Sequence, residues 1–325
     1  MYNEVFKNVR IECEKNPRLL NNITVLSADT SISVKTIQVA EVLGIFGPDA
    51  YQGRMLRLPL AENLLLGIAE GLSHEHLFPI VGIYESLIRI VMEELESICR
   101  SLSPTKGIVI VATHSGYSCP DGRGIQSITL PSILSKLPNL NYIEPTSLKD
   151  AAIITKELLQ RRKGIYVLRC PRKEFCLEQL PPRILELGFW DDESIRGKNE
   201  EIDADVVIVC NGSLAKEATR VIDIVHRWGI QVRILLLRCL SLANKESAWL
   251  RELLERANLI ITIHDSFGGY LRNVIEKHLM FSCNVNVCHF EAQGFGQSGT
   301  YNELLNVNGL DAQSIVKCIR KHFRL

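Results

Sequence analysis

The chain has 325 residues, more than one hydrophobic core usually organises, so its length predicts two domains. Lysine plus arginine and aspartate plus glutamate number 37 each, and this balance argues against nucleic acid or an anionic membrane as a partner. The sequence has no apolar run of the roughly 20 residues that a membrane-spanning helix needs, and the charged start MYNEVFKNVR is unlike a signal peptide. We therefore expect a soluble, cytoplasmic protein.

The ten cysteines occur singly within the sequence and form no Cys-x-x-Cys pair. Cys283 and Cys288 are five residues apart, but only His289 lies close to them in sequence, so four zinc ligands are not available there. We expect buried, reduced thiols and no metal site on this chain.

Strand-length apolar runs alternate with helical periodicity in the first half of the chain. Strands are predicted at 22–28, 76–83, 107–115, 140–145 and 164–170, and helices at 61–72, 84–103 and 148–162. Strands that are apolar on both faces and separated by helices indicate a parallel sheet covered on both sides. The fold class is therefore α/β.

A charged stretch at 181–202, with proline and glycine but no periodicity, is predicted as a linker. The alternation then restarts: strands are predicted at 203–213, 231–240 and 258–266, and helices at 214–228 and 245–256. We therefore predict a first domain over 1–180 and a smaller second parallel-sheet α/β domain over 203–325.

Three loops after predicted strands contain unusual polar residues, and such loops are where open parallel sheets place their ligands. ATHSGYSCPDGRGIQS (112–127) contains His114, a histidine that can serve as acid, base or hydrogen-bond donor, or can be structural. RCPRKEF (169–175) contains Arg169 and Arg172, which suit an anionic group or a solvated surface. HDSFGG (264–269) suits either an anion or a packed turn between domains.

Glu62 lies in the apolar segment MLRLPLAENLLLGIAEGLS, at residues 55–73. One interpretation is a helix-start residue, because Pro59 precedes it and acids favour the first helical turn. The other is a carboxyl group whose pKa is raised by an apolar setting, which suits a role in proton sharing.

Six segments in order resemble the second half of transketolases, from about residue 20 to the end. They are LSADTSIS (26–33), PLAENLLLGIAEGL (59–72), the 112–127 loop, LPNLNYIEPTSLKDAA (137–152), YVLRCPRK (166–173) and FGQSGTYNELLNVNGLDAQSI (295–315). The YVLRCPRK segment is closest in form to deoxyxylulose phosphate synthases. The resemblance implies a pyrimidine-binding domain of the thiamine diphosphate fold, followed by a smaller transketolase C-terminal-like domain.

The resemblance also implies roles for individual residues. Glu62 would hydrogen-bond the aminopyrimidine of thiamine diphosphate and promote deprotonation of the thiazolium carbon. Tyr84 and Leu87 occupy positions beside the cofactor, although Leu87 replaces the aromatic residue that stacks on the pyrimidine. His114 would donate to substrate oxygens and act with Glu62 in catalysis.

Further positions of the resemblance concern the substrate. Asp121 would meet a substrate hydroxyl, and Arg172 with Ser33 would hold a distal anionic group. Ile125 stands where the family has a second loop histidine that contacts substrate oxygens, so the resemblance implies a substrate pair other than the ordinary pentose phosphates.

The magnesium-binding Gly-Asp-Gly…Asn-Asn motif of the family is missing, because the chain contains no Gly-Asp pair. This absence predicts that an N-terminal transketolase subunit supplies the diphosphate site and its Mg²⁺, and that thiamine diphosphate is shared across an α₂β₂ heterotetramer. Two alternatives remain open: the beta subunit of a 2-oxo acid dehydrogenase, and a non-catalytic partner that stabilises a transketolase. The residues do not specify the ketol donor or acceptor beyond an anionic small molecule.

Overall fold

In a computed structural model of the chain, the described residues are 1–46, 53–117, 122, 124–172, 191–193, 204–239, 248–279, 285–294 and 298–325. They form two α/β units in sequence, and all neighbouring strand pairs except one are parallel. The predicted fold class of two parallel-sheet α/β domains is therefore confirmed.

The first unit contains seven α-helices and seven strands among the described residues. In chain order they are α1 (Tyr2–Lys15), α2 (Pro17–Leu20), β1 (Ile23–Ser27), α3 (Ala40–Leu43), β2 (Ile45–Phe46), β3 (Met55–Arg57), α4 (Glu62–His74), β4 (Phe78–Tyr84), α5 (Met92–Ser101), β5 (Gly107–Thr113), α6 (Leu130–Leu134), β6 (Leu140–Ile143), α7 (Leu148–Arg161) and β7 (Gly164–Cys170). The sheet order is β2-β3-β1-β4-β5-β7-β6.

The central strands of this sheet are buried on both faces. In β5, Ile108 and Ile110 pack into the core that includes residues of α4 and α5, while Val109 and Val111 pack into the core that includes residues of α1 and α7. Successive side chains of a strand point to opposite faces, so an unbroken apolar run can fill two cores at once. This explains why β5 shows no alternation of polar and apolar residues.

The second unit contains five strands and five α-helices among the described residues. They are β8 (Asp191–Glu193), β9 (Val206–Cys210), α8 (Ala215–Val225), β10 (Val232–Leu236), α9 (Ala248–Arg256), β11 (Leu259–His264), α10 (Tyr270–His278), β12 (Asn286–Glu291), α11 (Tyr301–Val307) and α12 (Ala312–Phe323). The sheet order is β12-β11-β9-β10-β8. Strand β8 pairs antiparallel with β10 and lies within the stretch that the sequence predicts as a linker.

The sequence-based prediction of a continuous helix over 84–103 is wrong in its first part. Strand β4 extends through Tyr84, and Glu85–Val91 forms a 3₁₀ helix before α5 begins at Met92. Glu85, Ile88 and Val91 are buried at a spacing of three residues, which is the repeat of a 3₁₀ helix and not of an α-helix.

None of the helices in the described ranges is long and apolar enough to cross a membrane. The described cysteines are free thiols; Cys288 and Cys318 are half-buried, and the buried ones are Cys13, Cys99, Cys170, Cys210 and Cys239.

Candidate functional site

A cavity of about 840 Å³ opens at the carboxyl ends of β1, β4, β5 and β7. It is lined by Met1, Tyr2, Asn3, Asp29, Thr30, Ser31, Ile32, Ser33, Lys35, Arg57, Tyr84, His114 and Arg172. We call it the His114 cavity. Four of the residues that the sequence predicts for the site therefore come together here: Ser33, Tyr84, His114 and Arg172.

Aromatic and hydroxyl groups form one wall of the cavity. The Ser33 Oγ and Tyr84 Oη atoms are 2.5 Å apart and share a hydrogen bond. The Tyr84 and His114 rings meet in a T-shaped arrangement, with centroids 4.4 Å apart and an interplanar angle of 83°. The Tyr2 ring stacks on the His114 ring, with centroids 5.1 Å apart.

His114 directly follows β5 and is only 4% exposed, with its backbone in the left-handed region at φ 59°. The next residues are fixed by backbone bonds: Ser115 N donates to Cys170 O, and Gly116 N donates to Ser127 O. The ring nitrogen Nδ1 lies 2.9 Å from Thr113 Oγ1, and Nε2 lies 3.4 Å from Tyr2 Oη. A buried ring with polar contacts on both nitrogens is well suited to hold or move a proton.

The charged groups of the cavity are mainly cationic. Arg172 is exposed and lies beside the cavity with Lys35. Arg57 Nη2 forms an ion pair with Asp29 Oδ1 at 3.2 Å, at the end of β3. Among the lining residues that the structure describes, three cationic side chains and one carboxylate favour an anionic ligand.

Arg169, which the sequence leaves open as an anion-binding or surface residue, is neither. Its Nε lies 3.1 Å from Glu85 Oε1, and its Nη1 lies 2.8 Å from Glu144 Oε2 and 2.9 Å from Asp265 Oδ1. All four side chains are at most 1% exposed. Asp265 comes from the second unit, so the arginine joins the two domains. We call these four residues the Arg169 cluster.

The Arg169 cluster holds more negative than positive charge if every carboxyl group is ionised. Burial raises the pKa of Glu144 to about 7, and burial also raises the pKa of Glu85. Burial also opposes ionisation of Asp265, but the Arg169 guanidinium, His264 and the hydrogen bonds that Arg169 and Ser213 donate together hold the pKa of Asp265 below its usual range. The two glutamates of the cluster therefore hold a proton more readily than Asp265 does.

The HDSFGG loop forms a packed turn between the domains, one of the two interpretations that the sequence left open. Phe267 N donates to Ile128 O at 2.6 Å, and Ser213 Oγ donates to Asp265 Oδ2 at 3.1 Å. Burial, with Arg169 nearby, lowers the pKa of His264 to about 3, so this ring is neutral.

Glu62 does not line the His114 cavity and begins helix α4. Its side chain is partly exposed, and the neighbouring Leu60 and Leu64 are 67% and 51% exposed. The apolar setting that the sequence predicts around Glu62 is thus not closed by the described part of this chain. We call Leu60, Glu62 and Leu64 the Glu62 surface.

Leu87 and Ile90 lie in the 3₁₀ helix that packs against α4. Leu87 is partly buried and contacts a core that contains residues of both units, whereas Ile90 is 59% exposed. Leu87 therefore has a packing role in the isolated chain, whatever it contacts in a complex.

Two families of protein domain match the chain. The transketolase pyrimidine-binding domain matches residues 14–177, and the transketolase C-terminal domain matches residues 197–315. The first match alone spans half of the chain. The chain belongs to the transketolase family.

Relatives of this transketolase-family chain include both short and long proteins. A putative transketolase C-terminal section of Methanocaldococcus jannaschii is 25% identical over 93% of this chain and 91% of its own length. The 1-deoxy-D-xylulose-5-phosphate synthase of Clostridium tetani is 21% identical over 92% of this chain, which spans about half of that relative, 47% of its length.

Solved structures show the same fold. A split gene transketolase, described as an inactive beta4 tetramer, has a TM-score of 0.76 and 22% identity, and the match covers 99% of this chain and 98% of that one. A transketolase from Leishmania mexicana has a TM-score of 0.75 and 21% identity, and the match covers 93% of this chain and 43% of that one.

The loop at 112–127 contains two further residues that the sequence singles out, Asp121 and Ile125. Asp121, predicted to meet a substrate hydroxyl, lies outside the described residues. Ile125 is partly buried, donates its N–H to Gly122 O at 3.2 Å and does not line the His114 cavity.

The sequence did not single out the other cavity residues, which include Tyr2, Lys35 and Arg57. Of these three, Arg57 has a signal in the sequence, because it lies in the short apolar run MLRL and ends strand β3.

Proposed function

We propose that this chain is one subunit of a split, transketolase-type enzyme that transfers a two-carbon ketol unit from an anionic ketose to an aldehyde. The observation that supports this most strongly is the His114 cavity, where Ser33, Tyr84, His114 and Arg172 converge. The family match makes thiamine diphosphate the expected cofactor, because transketolase-family proteins use it.

The residues of the chain fit the pyrimidine half of that cofactor and not its diphosphate half. Glu62 offers a carboxylate at a helix start between two exposed leucines, a suitable contact for an aromatic ring that carries a basic nitrogen. Within the described ranges no group of three or more His, Cys, Asp or Glu side chains is arranged to hold a metal ion, and the sequence lacks a Gly-Asp pair. We therefore assign the Mg²⁺ and the diphosphate to a partner chain.

The partner in this proposal is an N-terminal transketolase subunit in an α₂β₂ heterotetramer. It would cover the Glu62 surface, whose leucines are otherwise left in water. The solved relative described as an inactive beta4 tetramer of a split gene transketolase supports the idea that such chains need another subunit.

In the assembled enzyme, each residue would have a separate task. Thiamine diphosphate, when bound, supplies a carbon nucleophile for attack on a ketone. Glu62 would share a proton with the pyrimidine ring, in a setting that the partner makes dry. Arg172, Ser33 and Lys35 would hold the anionic end of the substrate, and His114 would exchange a proton or hydrogen bond with a substrate oxygen.

Reconstitution tests this proposal. The chain, a candidate N-terminal subunit, Mg²⁺ and thiamine diphosphate would be combined, and ketol transfer from hydroxypyruvate or a ketose phosphate to a series of aldehydes would be measured. We expect transfer only with both chains present. Decarboxylation of pyruvate without ketol transfer would instead identify a 2-oxo acid dehydrogenase subunit, and no turnover with any pair would identify a non-catalytic partner.

The same assay addresses Ile125. We propose that xylulose 5-phosphate with ribose 5-phosphate is not the best substrate pair. Position 125 has no histidine to hydrogen-bond a polyol, and Ile125 does not line the His114 cavity. A substrate hydroxyl left unpaired in a buried site costs about 1–3 kcal/mol. A turnover of this pair that exceeds all others would contradict the proposal.

A further inference from the structure

We propose that Tyr2 is a positioning residue that holds the His114 ring, whose Nε2 is made a hydrogen-bond acceptor by Thr113, so that an anion enters the His114 cavity together with a proton. The inference rests on the proposed function in one respect, namely that this cavity takes the anionic group of a substrate. Its evidence is the chain of contacts on both sides of the His114 ring.

The first step concerns Nδ1. The hydroxyl of Thr113 donates to the carbonyl oxygen of Ile83 at 3.2 Å, and a carbonyl oxygen can only accept. Thr113 Oγ1 has no second proton, so its 2.9 Å contact with His114 Nδ1 requires the ring nitrogen to donate. A neutral His114 therefore has its proton on Nδ1, and Nε2 is an acceptor.

The second step concerns Nε2 and Tyr2. Tyr2 Oη lies 3.4 Å from Nε2, a long contact in which the phenol is the donor, because the neutral ring has no proton there. The Tyr2 and His114 rings stack at an interplanar angle of 26°, and the Tyr84 ring meets the imidazole in a T-shaped arrangement. Tyr2 is held in turn by α1, whose Phe6 and Val9 are buried in the core shared with α7. The imidazole is thus clamped between helix α1 and strand β4.

The third step follows from charge. Among the described lining residues, Lys35, Arg57, Arg172 and the α-amino group of Met1 are cationic and Asp29 is the carboxylate, so the cavity attracts an anion. A bound anion favours the positive charge of a doubly protonated ring. Where the anion contacts Nε2, the ring can donate to it only in that doubly protonated form. Anion binding and proton uptake at His114 should therefore be coupled.

The tautomer can be observed directly on the full-length chain. Long-range ¹H–¹⁵N spectra of the imidazoles, with the His114 signals assigned by their loss in His114→Gln, should show a proton on Nδ1 in the wild type. Tyr2→Phe retains the ring and should shift the Nε2 signal, while Tyr2→Leu should also broaden it through loss of the stack. Tyr301→Phe, which removes a hydroxyl that donates to Ser213 O, is the control and should leave the His114 signals unchanged. A wild-type proton on Nε2, or no change in either Tyr2 variant, would overturn the proposal.

The coupling is tested with inorganic sulfate, which does not titrate near neutral pH. Calorimetry in buffers of different ionisation enthalpy should show proton uptake on sulfate binding to the wild type and none for His114→Gln. The affinity should fall by up to about tenfold per pH unit where the ring is neutral. Sulfate binding without proton uptake, or no sulfate binding, would overturn the coupling, whereas the ketol-transfer assay reports separately on the proposed function.

Discussion

The His114 cavity and the Glu62 surface lie on the same domain but differ in how much of each the chain supplies. In the cavity, His114 is 4% exposed, has a contact on each ring nitrogen and lies among side chains from α1, β3 and β4. At the Glu62 surface, the carboxylate is partly exposed between two leucines that are more than half exposed. The comparison indicates that the chain alone preorganises one half of a site and leaves the other to a partner. Substitutions of Glu62, Leu64 and Arg172 test that difference.

The largest effect is expected from Glu62→Gln. The amide fills the same space but cannot share a proton with a ring nitrogen, so turnover of the reconstituted complex should fall by about 100-fold or more. Hydrogen–deuterium exchange at the thiazolium carbon measures this step, and sulfate binding by the chain alone should be unchanged. Exchange at the wild-type rate would remove Glu62 from the mechanism.

Leu64→Asp should weaken association with the partner subunit. Loss of a buried leucine at an interface costs about 2 kcal/mol, which corresponds to about a 30-fold increase in Kd, and the added carboxylate increases the loss. Val307→Asp is the matched control, because Val307 is 80% exposed on α11 of the second domain. Equal weakening in both variants, measured by titration with the partner, would show that the Glu62 surface is not the interface.

Arg172→Ala should lower kcat/KM for anionic substrates by about tenfold or more, because a hydrogen bond to a charged group contributes about 1.5 kcal/mol or more. Neutral short ketoses should be converted as before. A similar loss on neutral and anionic substrates would contradict the role of the His114 cavity as an anion site. Association with the partner should not change in this variant.

The smallest expected effect is a change in the pH dependence of stability, and it concerns the Arg169 cluster. Because the pKa of Glu144 is raised from 4.5 to about 7, the folded chain keeps a proton that the unfolded chain releases, so this group makes the free energy of unfolding fall as pH rises between those values. Glu144→Gln removes that dependence. The free energy of unfolding of the variant minus that of the wild type should therefore increase from about pH 4.5 to 7 and then level off.

Chemical denaturation at several pH values provides this measurement. The opposite contribution of His264, whose lowered pKa makes the protein lose stability as pH falls below 6.5, is present in both proteins and cancels in the difference. A difference that is constant across the window would show that Glu144 does not hold the proton.

The parallel sheets were predictable from the sequence because buried strands such as β5 are apolar on both faces. Strands β2 and β3 have two and three residues, too few for any period to appear, and β12 is a partly exposed edge strand. The 3₁₀ helix was missed because an apolar spacing of three residues also occurs in α-helices.

For the site, the family resemblance pointed to His114 and Arg172. Both residues follow strands that end at the same edge of the sheet, which is why they line one cavity. It did not reveal what Arg169 does, because that depends on meeting Asp265, which is 96 residues away in the chain. Tyr2 was likewise missed, since its contact with His114 spans 112 residues. The roles of Arg169 and Tyr2 depend on contacts between distant parts of the chain, and a local sequence pattern does not contain that information.

Residues at the ends of β4, β5 and β7 contact both the His114 cavity and the second domain. This limits which domains from related proteins can be combined in one chimeric chain. Tyr84, His114 and Arg172 face the cavity, whereas Arg169, which is paired with Glu85, contacts Asp265 of the second domain. A β-carbon at Gly116 would overlap the Asp265 carboxylate, and one at Gly212 would overlap Glu144. A chimera that takes its second domain from another parent must therefore keep glycine at 116 matched with aspartate at 265. A side chain other than glycine at position 116 would press against Asp265, and we expect this to displace the ends of the strands beside the cavity. Ligand selectivity would then change, even though the described residues of the second domain do not line the cavity.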